Sequence, residues 1–263
     1  MRLLLAWRNS WKTAAIARIL QTRPGMFIDV GANAGQSLVD FLLAPVRGSY
    51  LGFEPNIACH AHLADMMRLN RLEHSWIVPA GLSDRPGIGP LYLFGGESDP
   101  GASMLRDLRP ALKARPVTSA FYRFDDLDDF RDRDIALVKI DVEGGELEVL
   151  RGMEQTITER HPWIICEVLD RDSAADADRH SARLADLDEL LGSLDYLVYR
   201  IVRTSDDINI RGIEAVPRFA SKQWDESSAT ACDYLFVPSS EPDSAISLFG
   251  VATQLSSCTK SPF

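Results

Sequence analysis

The stretch MFIDVGANAGQ, residues 26–36, decides the fold of this chain. Its apolar run 26–30 predicts a buried strand, and the apolar periodicity over 36–43 predicts a helix directly after it. Glycines at the corner let the backbone turn sharply and approach a ligand closely. The first N–H groups of the new helix suit a carboxylate or a phosphate. The stretch therefore predicts a ligand-binding strand–turn–helix corner.

A second apolar run, 50–53, ends in Glu54. In a nucleotide-binding βαβ unit, an acidic residue about 20 positions after the first turn binds the ribose hydroxyls. Here, however, the glycines follow Asp29-x-Gly31-x-Asn33-x-Gly35, which does not meet the dinucleotide fingerprint G-x-G-x-x-G. No G-x-x-x-x-G-K-[ST] phosphate loop follows this strand either. The corner is thus typical of a site for a ribose-containing cofactor other than a dinucleotide.

The motif D-V-G-A-N-x-G followed by F-E-P resembles the S-adenosylmethionine site of class I methyltransferases, and more narrowly that of the FkbM family. Similar motifs continue in family order over residues 25–238, namely VPAGLSD at 78–84, GASML at 101–105, LVKIDVEGGELEVLRG at 137–152, PWIICE at 162–167 and DYLFV at 233–237. Two positions depart from the family pattern. Gly81 stands where alanine is commoner, and 122–124 reads YRF where a threonine-rich strand is usual.

This resemblance implies an α/β fold of the Rossmann-like class I methyltransferase type. Its mostly parallel, seven-stranded sheet has an antiparallel last strand and helices on both faces. The alternation of strand-like and helical stretches along the chain agrees with it. We divide the chain into an N-terminal amphipathic helix and linker (1–24), a methyltransferase domain (25–238) and a loosely ordered tail (239–263). Segment 95–118, rich in Gly, Pro, Ser and Arg, is expected to be a mobile substrate loop.

The composition suits one large cytoplasmic domain. The 263 residues are 46% hydrophobic and carry a net charge of -10, which argues against a general nucleic-acid binder. The four cysteines form no C-x-x-C motif, so reduced thiols are expected. We find neither the run of about 20 apolar residues that a membrane-spanning helix needs nor a clear small-residue cleavage site of a signal peptide. Residues 2–20 predict an amphipathic helix that docks on the domain, covers the cofactor as a lid, or makes peripheral membrane contact.

The resemblance assigns the cofactor site residue by residue. Glu54 is expected to accept hydrogen bonds from the ribose hydroxyls of S-adenosylmethionine. The expected cofactor-binding residues are Asp29, Gly31, Asn33, Gly35 and Glu54, with Ser83 and Asp84 near the adenine.

Four carboxylates are predicted at the carboxyl ends of strands, where open α/β sheets bind ligands. They belong to Asp29, Glu54, Asp141 and Glu167. In the family's strand order, the strands that carry Asp29, Asp141 and Glu167 are neighbours. Because unpaired buried charge is costly, these carboxylates fit a site that meets a cation such as a sulfonium.

Lys139 lies on the same face of its predicted strand as Asp141. A lysine inside a parallel strand needs a partner, and we expect Glu167 on the next strand. Two interpretations remain open. Lys139 and Asp141 form a structural ion pair, or Asp141 or Glu143 stands beside the transferred methyl group.

A hydroxyl is a weak nucleophile, so methyl transfer to oxygen needs a group that takes its proton. The candidate catalytic residues are Asp141, Glu143 and Glu167, and His161 is a poorer candidate. We predict no metal site, although some O-methyltransferases hold Mg²⁺ through rim carboxylates, which here would be Asp141 and Glu167.

The leading interpretation is an S-adenosylmethionine-dependent O-methyltransferase. The family implies a small-molecule or glycan acceptor, such as a sugar hydroxyl in a polysaccharide, a glycolipid or a secondary metabolite. An NAD-dependent oxidoreductase or epimerase would need G-x-G-x-x-G and Y-x-x-x-K, and neither is found. A catalytically inactive methyltransferase fold used as a binding module would show eroded glycines or lack Glu54.

Overall fold

The structure is a computed structural model that describes residues 10–109, 111–204, 206–226 and 228–252. Its α-helices α1 to α8 span Trp11–Thr22, Gln36–Leu43, Ile57–Asn70, Asp128–Arg131, Glu146–Gly152, Glu154–Arg160, Ala177–Ser193 and Pro242–Phe249. Its strands β1 to β11 span Met26–Val30, Ser49–Phe53, Ser75–Val78, Gly81–Leu82, Gly87–Leu93, Arg115–Tyr122, Ile135–Ile140, Trp163–Glu167, Tyr196–Arg203, Ile210–Ala215 and Asp233–Pro238.

The main sheet has the order β10-β9-β11-β8-β7-β1-β2-β3. Neighbouring strands from β8 to β3 are parallel, and β11 runs antiparallel to both β8 and β9. The predicted α/β fold with a mostly parallel sheet and an antiparallel last strand is confirmed. The sheet has eight strands instead of seven, because β10 turns back antiparallel to β9 at the edge. A bulge at Gly212 interrupts the side-chain alternation of β10, which hides this strand in the sequence.

A second, three-stranded sheet, β4-β6-β5, includes the last residues of the segment that we expected to be a mobile loop. Arg115–Tyr122 is a strand whose residues 115–121 pair with β5. The preceding residues are also held, because Asp99 accepts three backbone N–H groups and Arg109 donates to the carbonyl oxygen of Gly101. The expectation for 95–118 is therefore wrong for its last part. Composition alone could not show that its charged side chains make these bonds.

The core lies on both faces of the central strands. Every residue of β1 and of β7 is buried, which explains their continuous apolar runs. Helix α1 covers one face, with Trp11, Ile16 and Ile19 almost fully buried. The described part of the N-terminal helix is therefore docked on the domain. Residues 2–9 of that prediction lie outside the described residues, and peripheral membrane contact through residues 1–20 stays a prediction.

The chain after residue 238 differs from the loosely ordered tail that we expected. Pro242–Phe249 forms a helix that begins with proline, a residue whose fixed φ suits the first helical turn. Its side chains Ala245 and Phe249 are buried against the domain. Residues 253–263 of the expected tail lie outside the described residues. Among the helices that the structure describes, none is both long and apolar enough to cross a membrane.

Candidate functional site

The candidate site is a cavity of about 290 Å³ at the carboxyl ends of β1, β2, β7 and β8. Its position agrees with the rule for open α/β sheets, in which ligands bind beyond the carboxyl ends of the strands. Loop 99–104 closes one side of it. The predicted site residues that line this cavity are Gly31, Asn33, Glu54, Asp141, Glu143 and Glu167.

Two predicted cofactor residues, Asp29 and Gly35, lie outside the cavity lining. Asp29 is fully buried one residue before the end of β1, where it accepts hydrogen bonds from the Tyr50 hydroxyl at 2.7 Å and from Lys139 Nζ at 3.2 Å. Gly35 precedes α2 with a φ of 96°, and a Cβ there would lie 2.9 Å from Leu63. Both therefore support the site from within the fold, and their direct contact with the cofactor stays a prediction.

Ser83 and Asp84, predicted to lie near the adenine, also lie outside the cavity. The Ser83 carbonyl packs so closely on Gly152 of α5 that no side chain fits between them. Instead, Gly81 and Leu82 of the same motif line the cavity. The residues of this motif that line the cavity thus precede the predicted ones, and the role of Ser83 and Asp84 near the adenine stays a prediction.

Glu54 is held in place by two backbone groups. Its Oε2 accepts from the N–H of Asn33 and its Oε1 from the N–H of Asn56, both at 2.7 Å. A carboxylate oxygen accepts more than one hydrogen bond, so both oxygens can still receive ribose hydroxyls. Burial raises the pKa of Glu54 to about 7, although the two N–H groups oppose this shift.

The turn after β1 needs glycine for two reasons. Gly31 has a φ of 79°, which favours glycine, and a Cβ there would overlap the carbonyl oxygen of Asp141. The N–H groups of Gly31 and Ala32 both donate to the Phe53 carbonyl oxygen at 3.0 Å. The turn therefore lies tightly between the ends of β2 and β7, and it brings the backbone to the cavity.

Lys139 pairs with two aspartates instead of with Glu167. Its Nζ lies 3.2 Å from Asp29 and 3.3 Å from Asp141. Strand register explains the difference, because Lys139 stands directly beside Asp29 on β1, whereas its neighbour on β8 is Ile165. The ion pair between Lys139 and Asp141 is thus present, and Asp141 also faces the cavity.

Helix α1 contributes a cation that sequence reasoning missed. Lys12 lines the cavity, and its Nζ lies 3.8 Å from Asp141 Oδ2. Burial alone would raise the pKa of Asp141, but the charges of Lys139 and Lys12 hold it well below its usual range. The burial of Trp11, Ile16 and Ile19 fixes the rotation of the helix that aims Lys12 inward. The apolar spacing predicts a buried helix face, but it does not show that the first turn lies beside the cavity.

Arg109 is a second missed residue. Its Nη2 lies 2.7 Å from Glu143 Oε2, and the Ser103 hydroxyl donates to the Glu143 carbonyl oxygen at 2.6 Å. Glu143 itself has a φ of 55°, in the left-handed region. Burial and the nearby charge of Asp141 raise the pKa of Glu143, and Arg109 opposes the shift. Loop 99–109 is thus tied to the end of β7.

Three carboxyl groups meet at the β7–β8 side of the cavity. Oxygens of Asp141, Glu143 and Glu167 lie within 4.8 Å of one another. Burial and the charge of Asp141 raise the pKa of Glu167 to about 9, so Glu167 holds a proton at neutral pH and shares a hydrogen bond with Asp141. By contrast, His161 lies at the other end of β8, just after α6, and cannot reach this cluster.

The raised pKa of Glu167 predicts how stability depends on pH. Its usual pKa is 4.5 and its folded pKa is about 9, so the stability linked to its protonated form is lost as pH rises through about 9. The stability linked to the protonated forms of Glu54 and Glu146, whose pKa values are about 7, is lost at lower pH. We expect the melting temperature of the ligand-free protein to fall between pH 7 and pH 9, and Glu167→Gln to flatten this fall. Differential scanning calorimetry checks it, and an equal slope in both proteins would contradict the assignment.

Comparisons with known proteins agree with the fold. A sequence profile described as methyltransferase FkbM domain matches residues 29–201. The structure of methyltransferase FkbM from Methylobacillus flagellatus KT is similar with a TM-score of 0.50 and 17% identity, covering 81% of this chain and 43% of that one. This chain thus spans less than half the length of that protein. No curated protein matches the sequence significantly.

Two further solved structures are similar at lower scores. A putative O-methyltransferase from Klebsiella pneumoniae has a TM-score of 0.45 at 9% identity, with 86% of this chain and 79% of that chain covered. A putative rRNA-methylase from Clostridium thermocellum has a TM-score of 0.45 at 10% identity, with 88% and 96% covered.

Proposed function

Because the chain belongs to the FkbM methyltransferase family, we propose that it transfers a methyl group from S-adenosylmethionine to a hydroxyl group. The observation that carries this proposal is the layout of the cavity. Glu54 stands at the end of β2, and the three carboxyl groups stand at the ends of β7 and β8, on the other side of β1. Adjacent strands are about 4.8 Å apart, so β2 and β7 are separated by about 10 Å. This span suits a cofactor with a ribose at one end and a reactive cation at the other.

The residues of the cavity fit S-adenosylmethionine. Glu54 can accept both ribose hydroxyls, and Gly31 lets the backbone approach the ligand. The carboxylates of Asp141 and Glu143 would lie near the sulfonium, the group that makes the methyl carbon electrophilic when the cofactor is bound. Lys139, Lys12 and Arg109 compensate most of their charge, so the cluster orients the reacting groups more than it attracts the cation. For the adenine we propose Leu82 and Phe121 in place of Ser83 and Asp84.

This assignment also explains a departure from the family pattern. Gly81 stands where alanine is commoner, and a Cβ there would lie 2.8 Å from two ring carbons of Phe121. The glycine therefore allows Phe121 to lie against the chain on the wall of the cavity.

We assign the general base to Glu143. Asp141 is held ionised by Lys139 and Lys12, and such a strongly acidified carboxyl is a weak proton acceptor. Glu167 already carries a proton at neutral pH. Glu143 combines a raised pKa with an ion pair that keeps it oriented. In this proposal Asp141 and Glu167 position the acceptor hydroxyl.

The proposed acceptor is a hydroxyl of a sugar, free or within a polysaccharide, a glycolipid or a secondary metabolite. The resemblance to the family supports this class by analogy. A reducing compartment such as the cytoplasm suits the three described cysteines, which are all free and buried. The acidic net charge makes nucleic acid a poorer partner.

Incubation with methyl-labelled cofactor and a panel of glycans, phenols, RNA and protein tests the proposal. We expect label in hydroxyl-bearing glycans or glycosylated small molecules, and the same rate with and without EDTA. Label only in RNA or protein would contradict the acceptor class. Loss of transfer in EDTA that is restored by Mg²⁺ would show that the cluster of Asp141, Glu143 and Glu167 holds a metal ion.

A further inference from the structure

A second cavity of about 380 Å³ lies beside the first one. It is enclosed by loop 104–108, the start of α5, the chain after β8, and α7. We call it the apolar cavity, because most of the surface that it exposes is apolar. Its principal apolar side chains are Met104, Leu105, Leu108, Leu147, Leu184 and Leu187. Its volume falls within the range of small-molecule sites.

The two cavities meet at the carboxyl cluster. Met104 lines both of them. Glu143 lines the candidate site cavity, and the next residue, Gly144, lines the apolar cavity. Likewise, Glu167 lines the candidate site cavity and the next residue, Val168, lines the apolar cavity. One end of a ligand in the apolar cavity would therefore lie beside Glu143, the proposed base, and Glu167, which is proposed to position the hydroxyl.

The two arginines that α7 contributes to the apolar cavity already have partners. Arg183 donates two hydrogen bonds to Glu148, at 2.7 and 2.8 Å, and a third to the Gly144 carbonyl oxygen. Arg179 lies 2.7 Å from Asp176 and 3.6 Å from Asp107. Because both arginines are already paired, the α7 side of the wall favours a neutral apolar group over an anion.

The turn after β7 lets the loop form this wall. Gly144 has a φ of 94°, and a Cβ there would lie 2.9 Å from Leu108 and 3.1 Å from Leu105. The loop thus presses two leucines onto the backbone of the turn. Further along the same connection, Leu112 is 51% exposed and lines neither cavity.

Strand order gives the direction of approach. Along the sheet edge, Glu54 on β2 is followed by β1, by the carboxyl groups of β7 and β8, and then by the apolar cavity below α7. In-line displacement requires the hydroxyl to approach the methyl carbon on the side opposite the sulfur. The acceptor must therefore arrive from the side of the apolar cavity.

We propose that the apolar cavity binds an apolar moiety of the acceptor, so the methylated hydroxyl belongs to an amphipathic molecule such as an alkyl- or aryl-bearing glycoside. This inference rests on the proposed function. The hydroxyl oxygen forms the new C–O bond while the C–S bond breaks, and the bonding electron pair remains on sulfur. The hydroxyl proton passes to Glu143.

Two glucosides that share the same sugar hydroxyls test the proposal. With S-adenosylhomocysteine bound, octyl β-D-glucoside below its micelle concentration should bind at least about tenfold more tightly than methyl β-D-glucoside, because its seven additional carbons leave water. Leu108→Glu should remove this preference and leave the affinity for S-adenosylhomocysteine unchanged. Isothermal titration calorimetry measures both affinities.

Leu112→Glu is the matched control, because it places the same charge on the same connection outside both cavities. It should keep the octyl preference. Leu105→Glu provides a second cavity variant if Leu108→Glu fails to fold. Equal affinities for the two glucosides, or an octyl preference that survives both cavity variants, would overturn the proposal. Octyl-selective binding without any methyl transfer would instead contradict the proposed function and keep the cavity assignment.

Discussion

Replacing Glu54 by alanine is expected to weaken the binding of S-adenosylhomocysteine by about 100-fold or more. Glu54 is the acceptor proposed for both ribose hydroxyls, and a hydrogen bond to a charged group contributes about 1.5–3 kcal/mol. The loss of two such bonds therefore raises the dissociation constant by a factor of more than about 100. The change also leaves the N–H groups of Asn33 and Asn56 without their acceptor, which loosens the turn after β1. Isothermal titration calorimetry at pH 8, above the pKa of Glu54, measures the effect.

Two further variants separate recognition of the ribose from general damage. Glu54→Gln keeps the size of the side chain but has only one acceptor oxygen, so its affinity should lie between those of the native protein and the alanine variant. Glu73→Ala changes an exposed glutamate before β3, at the other end of the strands, and should leave the affinity unchanged. An affinity for S-adenosylhomocysteine that stays native in Glu54→Ala would exclude Glu54 from the cofactor site.

The pH dependence of binding gives an independent check on Glu54. Its pKa is raised to about 7 by burial, so the carboxyl becomes protonated as pH falls below 7. A protonated carboxyl loses part of its capacity to accept hydrogen bonds. The affinity for S-adenosylhomocysteine should therefore decrease from pH 8 to pH 6, and Glu54→Gln should show a flatter profile.

The central part of the fold could be predicted because its physical signals are local. The strands β1 and β7 are buried on both faces, so their apolar runs are continuous and their bounds are clear from the sequence. The strand β6 begins Arg115-Pro116 and pairs only with the short β4 and with β5. Its mixed polarity reflects a small, half-exposed sheet, so the sequence shows no comparable run.

The partners of the site residues were harder to predict than their positions. Which side chain Lys139 contacts depends on the register of β7 against β1 and β8, and a sequence does not state register. Lys12 and Arg109 reach the carboxyl groups from α1 and from the loop after β5, which are remote in sequence. Asp29 was expected in the cavity from the family motif. Its strand has the predicted bounds 26–30, but its side chain points into the core, towards Tyr50 and Lys139.

The largest expected effect on turnover belongs to Glu143→Gln. Removing a general base typically costs a factor of about 10²–10⁴, because the attacking oxygen then keeps its proton in the transition state. The amide has nearly the same shape as the carboxylate and can still accept a bond from Arg109, so the affinity for S-adenosylhomocysteine should change less than about threefold. Single-turnover methyl transfer and calorimetry, measured separately, distinguish the two quantities.

Glu241→Gln is the matched control for this prediction. Glu241 is paired with Arg23 at 2.6 Å, as Glu143 is with Arg109 at 2.7 Å, but it lies just before α8, at the opposite end of the sheet, and lines neither cavity. Its replacement should leave the rate of methyl transfer within a factor of about two. A general stabilising role for such ion pairs would instead slow both variants equally.

The pH profile then decides between Glu143 and the neighbouring carboxyl groups. If Glu143 is the base, the native rate falls as pH drops and this carboxyl takes up its proton, and Glu143→Gln loses that dependence together with its rate. Asp141→Asn should slow the reaction by misplacing the acceptor. It should keep the pH dependence but move it to lower pH, because the charge of Asp141 raises the pKa of Glu143. A Glu143→Gln enzyme with the native rate and profile would move the base to the pair of Asp141 and Glu167, which together hold a single proton at neutral pH.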